Sequence, residues 1–217
     1  VAFVNKMDRP GADLDAAVAA MCRRLRVKPA VITVPLGSGP QFRGVYDLIS
    51  ERTFGADGPI AIELLAEDTA KIAQARERLC EAAADIDDAI AESYLAGEPI
   101  ATERLRVALR AGTLAGKVTP VLCGAALKGV GIEPLLDAVC AFLPSPADLP
   151  PVDGVHPSTG APEPRPAEPD APLAVLAFKT ISETTGDLTF LRVYGGTLEP
   201  GQPLWNPRTK RSERVGR

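Results

Sequence analysis

Four apolar residues, Val1-Ala2-Phe3-Val4, run without interruption into the polar loop Asn5-Lys6-Met7-Asp8-Arg9, and a helical pattern follows at once. This order constrains the fold more than any other stretch of the chain. A strand that is apolar on both faces has no solvent side, so it belongs in a sheet covered by helices. Pro10-Gly11 marks a turn, Asp13 suits a helix N-cap, and Leu14, Ala17, Val18, Met21 and Leu25 recur at helical spacing. Strand, loop and helix in this order form the repeating unit of an α/β sheet. The unit returns further along. Val118 to Cys123 predicts a strand, Gly124-Ala125-Ala126-Leu127-Lys128-Gly129 a loop, and Ile132, Leu135, Leu136, Val139, Phe142 and Leu143 one helical stripe. Pro134 fits an early helical position, and Pro144 ends the helix.

Between the two units lies an insertion spanning about residues 30–117, longer than a crossover within one sheet needs. It opens with strand-like Ala30 to Leu36 and Phe42 to Ile49. Helices carrying Ile72, Ala75, Leu79 and Ile86, then Leu105, Ala108 and Leu109, follow, with Thr102 as the expected N-cap of the last. This is the pattern of an α+β subdomain mounted on the main sheet. Residues 144–171 are dense in Pro with Ser, Asp, Glu and Gly, the composition of a semi-rigid linker. From 172 to 217 the period changes to two. Leu173 to Ile181 is one strand, and Leu188, Phe190, Arg192 and Tyr194 alternate with Thr189, Leu191 and Val193 in the next. Glu199-Pro200-Gly201-Gln202 places Pro and Gly where a type II turn wants them. The segment reads as the start of an all-β barrel domain.

Charge and cysteine usage exclude more than they assign. The net charge of −4 gives no whole-chain signal for nucleic acid, although a local basic patch can suffice. Cys22, Cys80, Cys123 and Cys140 form no CxxC pair, and the single His156 does not complete a zinc site with them. All four lie in apolar stretches and are expected to be buried free thiols in a reducing cytoplasm. No metal site is expected among these residues. No apolar run reaches membrane length, so no membrane partner is expected. Val1 opens directly into a strand without an initiator Met, which predicts a chain cut from something longer.

The chemistry rests on the first loop. Asp8 offers two acceptor oxygens side by side. Guanine presents its N1–H and its 2-amino group side by side, and one carboxylate can accept both in a charge-assisted pair. Adenine has no such donor pair and would leave the carboxylate unpaired, which gives large discrimination. The Asn5 amide can reach the purine N7 and also tie neighbouring loops together. Lys6 can lay its methylene stem over the base plane while its ammonium stays hydrated. Ligands of open α/β sheets bind outside the carboxyl ends of the strands, which is where this loop falls. The second loop, Cys123 to Lys128, ends the next parallel strand and would lie alongside. Its small residues let backbone N–H groups approach the purine O6. The expected base-contacting set is therefore Asn5, Lys6, Met7 and Asp8 with Ala125, Ala126 and Leu127.

At these residues the chain resembles the bacterial elongation factor G family of translational GTPases. The likeness runs through Val1-Ala2-Phe3-Val4-Asn5-Lys6-Met7-Asp8-Arg9, Phe42-Arg43-Gly44-Val45-Tyr46-Asp47-Leu48, Leu135-Leu136-Asp137-Ala138-Val139 and Leu143-Pro144-Ser145-Pro146. It continues through Leu188 to Leu198 and the closing Arg211-Ser212-Glu213-Arg214-Val215-Gly216-Arg217. The resemblance implies the C-terminal half of a P-loop-type GTPase domain over 1–143, with the family's insertion, and then a partial β-barrel domain. It implies GTP or GDP as ligand, with Mg²⁺ in the intact protein only. It also implies the ribosome, both rRNA and ribosomal proteins, as partner, a monomer, and GTP hydrolysis coupled to movement of tRNA and mRNA.

Three departures qualify the resemblance. Ala125 stands where the family usually has Ser, so a bracing hydroxyl is missing. The insertion after Ile49 is short and lacks a Trp often seen there. No G-x-x-x-x-G-K-[ST] occurs and a D-x-x-G switch is read as absent, so these residues alone are expected to hydrolyse no GTP. Arg192, Arg208, Lys210, Arg211, Arg214 and Arg217 give the β segment a local basic excess, and Lys210, Arg211 and Arg214 are the candidate rRNA contacts. Two other function classes remain at this point. One is a ribosome protection or rescue GTPase of the same architecture. The other is a non-catalytic ribosome-interaction module with a vestigial loop.

Overall fold

The computed structural model describes residues 1–156, 158–184 and 186–216, so Arg217 of the basic set lies outside the described residues. Contacts divide the chain into two compact units, Val1–Leu143 and Pro144–Arg217.

The first unit is α/β. Strand β1 (Ala2–Val4) pairs in parallel with β7 (Thr119–Cys123), and β7 pairs in parallel with β2 (Pro29–Val31). The sheet order is β1-β7-β2. Val121, Leu122 and Cys123 of β7 are fully buried, as expected of a central strand. Helix α1 (Leu14–Leu25) follows the first loop, and Asp13 caps it by accepting from the Ala16 N–H. Helix α5 (Ile132–Phe142) follows the second. Pro134, Ala138 and Phe142 are its covered face. Leu136 and Val139, expected in the same stripe, are exposed.

The stretch Ala30 to Leu36 is not one strand. Ile32 donates its N–H to the Val121 carbonyl and accepts from the Leu48 N–H, so its two backbone groups serve different sheets. Beyond it β3 (Thr33–Leu36) joins β4 (Gly44–Asp47), β5 (Arg52–Gly55) and β6 (Gly58–Pro59) in an antiparallel sheet of order β3-β4-β5-β6. Helices α2 (Ala66–Ala84), α3 (Asp88–Leu95) and α4 (Thr102–Leu114) complete this region. Leu79, Ile90, Leu105 and Leu109 from the three helices share one core with the parallel sheet. Thr102 is the first residue of α4 and not its cap. Its hydroxyl reaches the Ile49 carbonyl, and Ala101 holds the cap position. Among the cysteines, Cys80 and Cys123 are buried, whereas Cys22 and Cys140 are exposed on the outer faces of α1 and α5. An apolar neighbourhood in sequence does not fix which face of a helix a thiol occupies.

The second unit is all-β. Val152–Arg165 and Val155–Pro162 form isolated antiparallel bridges within the Pro-rich stretch. Strands β8 (Ala174–Glu183) and β9 (Gly186–Gly195) form a long antiparallel hairpin, and β10 (Pro203–Asn206) pairs with β11 (Arg211–Arg214). Between β9 and β10 the Gln202 N–H donates to the Glu199 carbonyl, and Gly201 has φ +79°, as a type II turn requires.

Candidate base-recognition site

Both polar loops leave the carboxyl ends of adjacent parallel strands, β1 and β7. Three hydrogen bonds made by Gly124 and Ala126 stitch them together, beside an ion pair from Lys128. The Gly124 N–H donates to the Val4 carbonyl at 3.0 Å, and the Met7 N–H donates to the Gly124 carbonyl at 3.0 Å. The third is a side chain: Asn5 Oδ1 accepts from the Ala126 N–H at 2.9 Å, and it also accepts from the Lys6 N–H at 2.8 Å. Lys6 holds a left-handed backbone, φ +67°. Conformations of this kind in a non-glycine residue cluster at functional sites. Gly124 has no room for a side chain, because a Cβ there would collide with the Val130 carbonyl and meet the Phe3 ring.

Met7 is buried in the core beneath the loop, and its carbonyl accepts from the Gly39 N–H of the insertion. It anchors the loop from below. Asp8 is partly covered, with its side chain 17% exposed, and faces the second loop: its Oδ2 lies 3.1 Å from Lys128 Nζ. The hydrogen bond from Lys128 holds the Asp8 carboxyl below its ordinary value of 3.8, against partial desolvation that pushes it up. Near neutral pH Asp8 is therefore a carboxylate, able only to accept.

On the second loop, Ala125 is buried and donates its N–H to the Val130 carbonyl, forming an isolated bridge. Ala126 directs its N–H at Asn5 Oδ1, so this donor braces the two loops. Leu127 projects outward, 95% exposed.

Thr33 is a supporting residue that sequence reasoning missed. It is fully buried, and its Oγ1 accepts from the Cys123 N–H at 2.8 Å. It thus completes the ladder at the point where β7 turns into the second loop. Burial pushes the Cys123 thiol up to about 12, against the bond from Thr33. Nothing in the sequence pattern marks one Thr as a ladder partner ninety positions away.

The letters Asp8-Arg9-Pro10-Gly11 do spell D-x-x-G, which corrects the expectation that the pattern is absent. Their place is the base loop, where the Ala12 N–H closes a turn on the Arg9 carbonyl. Among the described residues no three of His, Cys, Asp and Glu come together to hold a metal ion.

Of the basic candidates in the second unit, Arg211 and Arg214 lie exposed on β11 and Lys210 precedes them with φ +54°. Arg192 stacks over the Tyr194 ring at 5.1 Å.

The model of the family described as "Elongation factor Tu GTP binding domain" matches residues 1–145. The chain belongs to that family. Within it, the chain is similar along its whole length to elongation factor G proteins. It is 47% identical to Elongation factor G 2 of Streptomyces coelicolor over 225 residues, covering 100% of this chain and 32% of that protein. It is 43% identical to Elongation factor G 1 of Geobacter sulfurreducens, again covering 100% of this chain and 32% of that protein. The chain therefore spans about a third of the length of these curated relatives. A crystal structure from Thermus thermophilus shares the fold, with a TM-score of 0.71 at 24% identity, over 98% of this chain and 29% of that one.

Proposed function

We propose that this chain supplies the base-reading part of a GTP-binding translation elongation factor. In this reading Asp8 accepts from guanine N1–H and the 2-amino group, Asn5 fixes the two loops, and the Lys6 stem covers one face of the base. Met7, Ala125 and Ala126 hold the loops in place, and Leu127 lines the exposed side. The observation that carries this is the Asn5 bond to Ala126 across two strand-end loops, with Asp8 turned toward the same loop. A carboxylate already aimed and braced meets a two-donor base edge with little reorganisation.

The full-length protein hydrolyses GTP to GDP on the ribosome, coupled to movement of tRNA and mRNA, with Mg²⁺ bound in the intact protein. Residues 1–143 are the second half of the GTPase domain with its insertion at about 30–117, 144–171 connect, and 172–217 begin a β-barrel. Lys210, Arg211 and Arg214 contact rRNA phosphates. The protein works as a cytoplasmic monomer. No helix among the described residues is long and apolar enough to cross a membrane.

Equilibrium binding of fluorescent GDP and ADP to the full-length protein tests the base reading. Strong preference for GDP supports it, and equal affinity for the two overturns it. A translocation assay on programmed ribosomes tests the cellular role, and a factor that binds ribosomes and turns over GTP without moving tRNA would contradict it.

A further inference from the structure

Lys128 stands apart from the rest of the site, because it touches the group that reads the base and no role in reading has been assigned to it. Its ammonium sits 3.1 Å from Asp8 Oδ2, while its own side chain is 61% exposed. A carboxylate has two oxygens, and a two-donor base edge requires one lone pair from each in the same plane. A cation bonded to Oδ2 at hydrogen-bonding distance takes one of that oxygen's two lone-pair sites and draws its negative charge, which makes Oδ2 a poorer acceptor for the second base donor. Lys128 is able to leave: it is carried by a short 3-10 turn, Ala126–Lys128, and its exposed stem has ready access to water. The Asp8 side, by contrast, is fixed by the Met7 anchor beneath it.

We propose that Lys128 is a specificity-setting residue of the base site, competing with guanine's second donor for Asp8 Oδ2. The inference rests on the assignment of Asp8 as the base-reading carboxylate. Its consequence separates purines by donor count. Guanine, with N1–H and a 2-amino group, makes its second bond to an oxygen that Lys128 already engages, and gains most when Lys128 leaves. Hypoxanthine has N1–H but no 2-amino group, so it takes one oxygen and leaves Lys128 on the other. Lys128 therefore lowers the preference for guanine over hypoxanthine. It sets a lower guanine affinity than Asp8 alone would give and keeps the carboxylate neutralised whenever the second donor is absent. The charge of Arg9 also favours the ionised form of this carboxylate.

The test compares GDP with inosine diphosphate on the full-length protein. Both carry the same phosphates, so the ratio of their affinities isolates the base. In Lys128→Met the ratio in favour of GDP is expected to rise about two- to fivefold, the range for an ion pair of this exposure. Lys128→Arg, which keeps a cation on the loop, is expected to restore the wild-type ratio. Added salt screens the pair, so the ratio should climb with ionic strength in the wild type and stay flat in Lys128→Met. An unchanged ratio in Lys128→Met overturns the proposal. A fall overturns it too, because the ammonium would then be clamping the base. Asp8→Asn separates the two levels. If that variant keeps the wild-type ratio, the base reading fails and this inference falls with it. If Asp8→Asn erases the ratio while Lys128→Met leaves it unchanged, the inference about Lys128 fails alone.

Discussion

Residues 1–143 and residues 144–217 use their apolar side chains in opposite ways. In the first unit Leu36, Val45, Leu48, Leu105, Leu109, Val121 and Leu122 are fully covered, and helices and two sheets share that core. In the second, Gly195 is the one buried position among the described residues. Leu176, Phe178, Leu188, Phe190, Leu191, Val193 and Trp205 are all exposed. The β8–β9 hairpin is paired with register shifts at Ala174/Val175 and at Ala177/Lys179, and Phe178, which falls in the second, sits 6.3 Å from Phe190. Pairing specifies a strand's partner and register, and leaves the faces of a two-stranded ribbon to be covered by other parts of the protein. The loops that carry Asn5 and Asp8 stand on the packed core of the first unit, whereas Arg211 and Arg214 lie exposed on β11.

Core deletion should separate the two units by the widest margin. Leu109→Ala in α4 should destabilise the first unit by about 2–5 kcal/mol, the cost of a cavity at a fully covered leucine. Phe178→Ala on the exposed hairpin should cost about 1 kcal/mol or less, the scale of one cross-strand pair. Urea unfolding of the two variants checks this, and equal losses would erase the contrast between the units.

A smaller effect sharpens the link between core and site. Thr33→Val keeps the shape of the side chain and removes the oxygen that accepts from Cys123, leaving a buried N–H without its partner. The expected loss is about 1–3 kcal/mol. It should also weaken GDP binding, because Cys123 leads directly into the second loop. Weakened stability with unchanged nucleotide affinity would disconnect Thr33 from the site.

How far the sequence was legible follows the same division. The β1–loop–α1 unit was readable because each level agreed: an unbroken apolar strand, Pro10-Gly11 at the turn and Asp13 at the cap, where the structure places it. The split at Ile32 was not readable, since a run of apolar residues looks the same whether its backbone serves one sheet or two. Thr102 has the chemistry of a cap, yet its hydroxyl found a carbonyl on a distant loop instead. At the site, Asn5 and Asp8 were legible as chemistry. Which N–H the Asn5 oxygen would take, and that Lys128 would hold Asp8, depend on how two loops far apart in sequence meet. No local pattern carries that information.

The smallest expected effect is with pH. The folded-state titration of Asp8 is depressed, so its contribution is complete above its ordinary value of 3.8 and is lost only as pH falls through the lower folded value. The GDP-to-inosine-diphosphate ratio should therefore be flat between about pH 5 and 8, within the range where Asp8 stays ionised. A titration of that ratio near neutral pH would point to a different base-reading group.

The central claim is that one carboxylate, braced just beyond the end of β1, chooses the base. Asp8→Asn in the full-length protein, assayed side by side with GTP and xanthosine triphosphate, tests it most directly. The xanthine 2-oxo group suits an amide donor as the guanine 2-amino group suits a carboxylate. GTP affinity is expected to fall by about tenfold or more while xanthosine triphosphate affinity rises. Unchanged GTP affinity in that variant would contradict the claim.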